Sequence, residues 1–365
     1  MNITIVAGAR PNFMKIAPII EAIQNKKKEG FDINYRLVHT GQHYDKNLSG
    51  TFFEELNIPL PNRNLEVKSG TQAEQTAAIM IGFENELKEN PCDLVMVVGD
   101  VTSTMACTIV AKKANIKVTH VEAGIRSGDM RMPEEINRIV TDSLTDYFFT
   151  TSTYANENLE QLGVSKSNIF FVGNVMIDTL LKNESRLKKP NLWGNLELHH
   201  KKYLVITLHR PSNVDEELQL KTLITQIVEL GKDYPIIFPV HPRTQKLLSS
   251  LNLNFKNLHY VNPLGYLEFN YLVKNAKAVI TDSGGITEET TVMKVPCITL
   301  RDSTERPETC NIGTNILVGN DSKKIESAFK ILLSGTWKQG TIPELWDGHA
   351  AERIIHHLTQ IYKLS

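Results

Sequence analysis

Short, β-rich apolar runs recur along the chain with helical patterns between them, and nearly every run stops at a small polar cluster. Few folds accept that arrangement, because strands alternating with helices are the sequence form of a parallel sheet with crossover helices. The first half offers six such runs, at residues 3–7, 35–39, 94–98, 118–121, 147–151 and 169–172. The second half offers six more, at 203–207, 236–240, 258–261, 278–281, 297–300 and 316–318. A single core stops growing at roughly 250 to 300 residues, so a chain of 365 predicts two Rossmann-like, doubly wound α/β domains and not one large sheet. The expected division is an N-terminal domain over 1–178, a C-terminal domain over 179–347 and a closing helix within 348–365 that packs back on the first domain. Residues 180–202 read as a linker region, being charged and interrupted by Pro190 and Gly194. Ile354, Ile355, Leu358 and Ile361 carry the closing helix's apolar spacing.

Charge then limits the partners. Forty Lys and Arg stand against 41 Asp and Glu, a formal net charge of -1. No global basic field exists to hold nucleic acid or an anionic membrane, and an anionic ligand must be caught locally. No apolar run approaches the roughly 20 residues of a membrane span, and Arg10 and Lys15 interrupt the first apolar stretch, which predicts a cytoplasmic protein. Cys92, Cys107, Cys297 and Cys310 are widely spaced and read as reduced thiols. The adjacent pairs His199-His200 and His356-His357 chelate poorly and no HExxH pattern occurs, so no metal is predicted.

In open α/β sheets the ligand lies beyond the carboxyl ends of the strands, which is where the polar clusters stand. They are expected to face one cleft between the two domains. Asp282-Ser283-Gly284-Gly285 ends one strand and opens a helix. Two glycines admit close approach of an anion, Ser283 adds a hydroxyl, and the helix start presents free N–H groups, so this is a phosphate cradle by mechanism. An ordinary capped turn has the same sequence. Glu289 lies farther along that helix and suits the hydroxyls of a ribose. Gly8-Ala9-Arg10-Pro11-Asn12 is no GxGxxG fingerprint and gives a dinucleotide cofactor no support. Asp100 and Glu122 each follow a strand; brought together, two carboxylates repel, one pKa rises, and the pair supplies an acid and a base. Glu134 and Glu135 after Pro133 also make a common helix opening. His209 and His241 terminate strands and fit either diphosphate binding or a structural role.

Taken together, these clusters resemble the UDP-N-acetylglucosamine 2-epimerases, in particular the non-hydrolysing bacterial type. The resemblance rests on Gly8-Ala9-Arg10-Pro11 with Lys15, Thr40-Gly41-Gln42-His43, Gly99-Asp100, His120 to Arg126, Pro133 to Arg138, His209-Arg210 with Asn213, Thr281 to Gly285 with Glu288-Glu289, and Thr304 to Glu308. It implies a glycosyltransferase B fold, a homodimer, no cofactor, and a UDP-sugar substrate used for cell-surface polysaccharide precursors. It also implies epimerisation of UDP-N-acetylglucosamine to UDP-N-acetylmannosamine by anti elimination of UDP and re-addition to a 2-acetamidoglucal. In that scheme Asp100, Glu122 and Glu134 are the acid/base candidates, while Lys15 and His209 stabilise departing UDP. Arg10, Arg210, Asn213, His241, Ser283, Gly284, Gly285, Glu289 and Arg306 bind substrate.

Two departures bear on the sugar. Gly128-Asp129 is followed directly by Met130-Arg131-Met132-Pro133, two residues short of better-known members, and Ser69-Gly70 stands where an activating second site has Arg-Gln. Both resemble a branch acting on modified sugars such as UDP-2,3-diacetamido-glucuronic acid. Gln42, His43 and Arg243 are partial substitutes for the missing Arg. A hydrolysing epimerase and a UDP-sugar glycosyltransferase of the same fold are the other readings.

Overall fold

The apolar runs pair into two separate parallel sheets. The computed structural model describes residues 1–41, 55–214, 216–240, 248, 251 and 253–364. It divides into one unit of Met1–Lys182 with Glu344–Ser365 and another of Asn183–Pro343.

In the first unit the chain runs β1 (Asn2–Ala7), α1 (Arg10–Lys28), β2 (Asn34–His39), β3 (Arg63–Asn64), α2 (Gln72–Glu89), β4 (Leu94–Val98) and α3 (Thr102–Lys113). It continues through β5 (Lys117–Val121), α4 (Pro133–Leu144), β6 (Tyr147–Thr150), α5 (Thr153–Gln161), β7 (Ile169–Phe171) and α6 (Val175–Asn183). The strands lie in the order β3-β2-β1-β4-β5-β6-β7. Six of the seven are the runs read from sequence. The seventh, β3, has two residues and no apolar pattern; Asn62 and Leu65 secure it through backbone bonds to Leu37 and His39. Winding starts at β1 and proceeds in both directions, so the topological switch point lies between β1 and β4.

Pro18 lies inside α1, where a proline ordinarily kinks or breaks a helix, yet the helix is continuous from Arg10 to Lys28. A proline lacks the N–H that would bond the carbonyl four residues back. Here Thr179 of α6 supplies the missing donor, its hydroxyl 2.6 Å from the Met14 carbonyl oxygen. The chain from Glu344 onward belongs to this unit. Trp346 is buried and donates to the Thr151 carbonyl at 3.0 Å. Leu345 passes so close to Gly173 that a Cβ there would stand 2.0 Å from its carbonyl oxygen. The last helix, α14 (Ala350–Ile361), is capped by the buried carboxylate of Asp178, which accepts from the N–H groups of Ala350 and Ala351 at 3.1 and 2.7 Å.

The second unit opens with α7 (Leu192–Asn195), β8 (Leu204–Thr207), α8 (Pro211–Val214), α9 (Glu217–Leu230), β9 (Ile236–Pro239), β10 (Leu258–Val261) and α10 (Tyr266–Asn275). It closes with β11 (Ala278–Thr281), α11 (Gly284–Val292), β12 (Cys297–Thr299), α12 (Pro307–Asn311), β13 (Asn315–Leu317) and α13 (Ser322–Ser334). Its order, β10-β9-β8-β11-β12-β13, puts a second switch point between β8 and β11. Leu204, Ile206, Ile236, Phe238, Ala278 and Ile280 pack beneath α9 and α13, while Tyr203, Val205, Ile237 and Val279 face α10. The period of two thus fills both faces, which is why these strands read as unbroken apolar runs. The stretch read as a linker is partly packed: Trp193 stands edge-on to Tyr203 and Tyr271, each at 5.4 Å. No helix among the described residues is long and apolar enough to cross a membrane.

Candidate active site

Both switch points carry dense polar clusters. In the first unit, the turn after β1 is built around Asn12. Its carbonyl oxygen accepts from the N–H groups of Gly8 and Ala9, both at 3.0 Å, and its amide donates to the Val98 carbonyl at the end of β4 at 2.9 Å. Lys15 follows on α1 with its Nζ 2.6 Å from Oε2 of Glu122, beyond β5. The Glu122 side chain is 2% exposed. Its backbone has φ +69, a region that costs a non-glycine residue of order 1–3 kcal/mol and collects at functional sites. The strain is held by the N–H groups of Glu122 and Ala123, which both donate to the Phe149 carbonyl.

Asp100 follows β4 and is gripped by Arg138 of α4, whose Nε lies 3.0 Å from Oδ2. The same guanidinium reaches Glu135 Oε2 at 2.7 Å, and Asn137 donates to the Asp100 carbonyl at 2.9 Å. Burial pushes Glu135 up, but N–H donors of Ser127 and Gly128 together with Arg138 hold it below the usual carboxylate value. Behind these groups His120 bridges Asp142 Oδ1 (2.7 Å, at Nδ1) and the Gly99 carbonyl (2.8 Å, at Nε2). Asp142 also takes Arg126 at 2.7 Å and the Gly124 N–H at 3.1 Å. One buried acid therefore braces the loops that carry Asp100 and Glu122.

Asp100 and Glu122 each have a cation beside them, Arg138 and Lys15. Glu134 is half-buried in the first turn of α4, and it is Glu135 that is buried and bonded. Arg10 is the first residue of α1.

In the second unit, Ser283 precedes α11 without its side chain capping the helix, leaving the first N–H groups of Gly284 and Gly285 at the end of β11. Asp282 is fully buried and accepts from the backbone N–H groups of His209 and Arg210, from Asn213, and from the His209 ring. Asn213 is itself buried, with its carbonyl oxygen taken by Asn320, so both ends of its amide serve the loop. Arg210 donates to the Asp282 carbonyl at 3.0 Å. Arg306 pairs with Glu288, and Arg301 with Glu305 at 2.7 Å. Glu289 is buried against Tyr266 (3.0 Å) and Asn270 (3.4 Å), and burial pushes its carboxyl up to about 7. Burial likewise pushes Glu308 up to about 7; neither of its oxygens has a hydrogen-bond partner among the described residues. His241, Gln42, His43 and Arg243 lie outside the described residues.

Over residues 24–359 the chain matches the UDP-N-acetylglucosamine 2-epimerase family. The chain belongs to that family. The UDP-N-acetylglucosamine 2-epimerase of Methanocaldococcus jannaschii is 42% identical, over 98% of this chain and 99% of its own. A crystal structure of the Methanocaldococcus jannaschii enzyme with UDP-GlcNAc and UDP aligns at a TM-score of 0.89, covering 99% of this chain and 100% of that one. A UDP-2,3-diacetamido-2,3-dideoxy-D-glucuronate 2-epimerase of Pseudomonas aeruginosa is 35% identical, over 99% of this chain and 100% of its own. A lipopolysaccharide outer core galactosyltransferase, 14% identical with a TM-score of 0.57, shares the fold alone.

Membership in the 2-epimerase family agrees with the resemblance carried by the motifs, and the two parallel sheets agree with the expected glycosyltransferase B class. Asp282, Arg138, Asp142 and Tyr266 were not singled out as site residues in the sequence. The available signal was position: Asp282 is the first polar residue after β11, and Arg138 lies one helical turn from Glu134 and Glu135.

Proposed function

We propose that this 2-epimerase family member inverts C2 of UDP-N-acetylglucosamine to give UDP-N-acetylmannosamine. The observation that carries the reading is the meeting of Lys15, Glu122, Asp100 and Arg138 around one switch point, in a chain of this family. A carboxylate among Asp100, Glu122 and Glu134 removes the C2 proton. The C1–O bond then breaks with its electron pair passing to UDP, leaving a 2-acetamidoglucal. UDP adds back at C1 while C2 takes a proton from the opposite face, so the sum is an isomerisation without oxidant or reductant.

The second unit supplies the nucleotide subsite in this reading. The start of α11, with Ser283, Gly284 and Gly285, receives the diphosphate, and Glu289 receives the ribose hydroxyls. Arg10, Lys15, Arg210, His209 and His241 are taken to neutralise the phosphates, and Arg306 to line the same subsite. A homodimer is proposed with it on the resemblance alone, and a cytoplasmic location on the hydropathy pattern of the sequence.

A second reading has a specific support. The 35% relative acts, by its name, on UDP-2,3-diacetamido-2,3-dideoxy-D-glucuronate, and the short 128–133 segment and Ser69-Gly70 lean the same way. Incubation of each UDP-sugar in deuterated water, followed by NMR, tests both. Deuterium at C2 of the recovered UDP-sugar is expected, and turnover without exchange at C2 refutes the mechanism. Stoichiometric free UDP with N-acetylmannosamine establishes the hydrolysing reaction instead.

A further inference from the structure

We propose that Asp282 is a positioning residue for His209, fixing a ring hydrogen on Nδ1 so that Nε2 is the nitrogen presented to the leaving diphosphate; this rests on the epimerase reading above. The two residues follow β8 and β11, the strands that flank the second switch point. Oδ1 of Asp282 lies 2.7 Å from Nδ1 of His209. Among the described residues, the carboxylate's other hydrogen-bond partners are also donors: the N–H of His209 at 3.1 Å, the N–H of Arg210 at 3.0 Å and the amide of Asn213 at 3.1 Å. A group surrounded by donors acts as an acceptor, and the ring nitrogen facing it must carry hydrogen.

Exposure separates the two partners. The Asp282 side chain is 0% exposed and that of His209 is 62% exposed. The acid is locked in place, and the imidazole edge that does not touch it is the accessible one. Burial pushes the Asp282 carboxyl up, but the His209 ring and the Arg210 and Asn213 donors hold it below the ordinary carboxylate value. An anion therefore backs the ring.

The chemistry follows from which nitrogen is occupied. With Nδ1–H on Asp282, any second proton must reside on Nε2, the ring nitrogen that does not face the carboxylate. When the C1–O bond breaks and its pair moves to the diphosphate oxygen, Nε2–H donates to that oxygen, and the carboxylate stabilises the cationic ring. The same hydrogen bond is given up when UDP adds back, so His209 returns unchanged. The arrangement resembles the general use of an acid to hold a histidine in one tautomer.

The test uses the full chain with ¹⁵N-labelled histidine, His209 being assigned by its absence in His209→Asn. At alkaline pH the neutral ring is expected as the Nδ1–H tautomer, and the Nε2–H tautomer common to free imidazoles overturns the proposal. Asp282→Asn is expected to lower kcat roughly tenfold or more with a much smaller change in KM. In a His209→Asn background the same substitution should cost less than about twofold. Equal loss in both backgrounds overturns the proposal, as does full activity in Asp282→Asn. Should Asp282→Asn fail to fold, the wild-type tautomer alone decides. A wild-type chain that exchanges C2 of neither UDP-sugar refutes the epimerase reading, and the tautomer still judges Asp282.

Discussion

The ammonium of Lys15 lies 2.6 Å from Oε2 of Glu122, a residue 107 positions later and two strands across the sheet. Such a pairing places a basic oxygen and a cation at the same strand ends as Asp100. Glu122→Gln and Asp100→Asn are each expected to lower kcat about a hundredfold or more, the scale of removing a general acid or base. UDP affinity should stay near the wild-type value, because neither residue belongs to the proposed nucleotide subsite. Steady-state kinetics with calorimetric UDP titration checks both halves, and near-normal turnover in both variants returns these acids to a structural role.

Thr179 and Pro18 should be energetically coupled through the Met14 carbonyl. Thr179→Val removes its donor and is expected to cost about 1–3 kcal/mol of stability. Pro18→Ala restores a main-chain N–H to the helix, and in that background Thr179→Val should cost clearly less. Denaturant unfolding of the four proteins in the cycle measures the difference.

Asp178 gives the protein an acid-side stability signature. Burial raises its carboxyl from 3.8 to about 6, against the pull of the Ala350 and Ala351 N–H groups. The folded state thus holds this proton more tightly than the unfolded one, so stability falls as pH rises from about 4 to about 6 and levels off above. The shift corresponds to roughly 3 kcal/mol. Asp178→Asn removes that titration, and unfolding curves across this range should differ in slope from wild type by that contribution.

With Glu289 as the proposed ribose acceptor, nucleoside binding should depend on pH. The Glu289 carboxyl is raised to about 7, and accepting two ribose hydroxyls favours the ionised form. Binding of uridine, which has no phosphate to titrate, should strengthen as pH rises through about 7 and then level off. Glu289→Gln should bind more weakly with a flat profile. Calorimetry at a series of pH values reads both.

Strand positions were legible because apolar residues filling both faces of a parallel sheet leave an uninterrupted run, as at 204–207 and 278–281. β3 was not, since two residues carry no period and its pairing is set by neighbours such as Asn62. Asp100, Glu122 and His209 stood out because they follow strands, and Lys15 and Glu289 because they lie little more than a turn into helices that start at strand ends. What escaped was pairing. No spacing rule indicates that Arg138 would face Asp100 or that Asp178 would cap a helix 172 residues away, because such contacts depend on the crossover connections between strands. The continuity of α1 across Pro18 is hidden for the same reason: a residue from α6 supplies the missing donor.

The return of residues 344–365 to the first unit has a consequence for biosynthesis. The segment Asn183–Pro343 is, in effect, an insertion within the first unit. On the ribosome the second sheet is complete well before α14 leaves the exit tunnel, while the first must wait with the Asp178 carboxylate and the surface under Trp346 uncovered. Vectorial synthesis should therefore finish the second unit first and the first unit last, and truncated chains ending near Pro343 should become targets of the cell's chaperones and proteases.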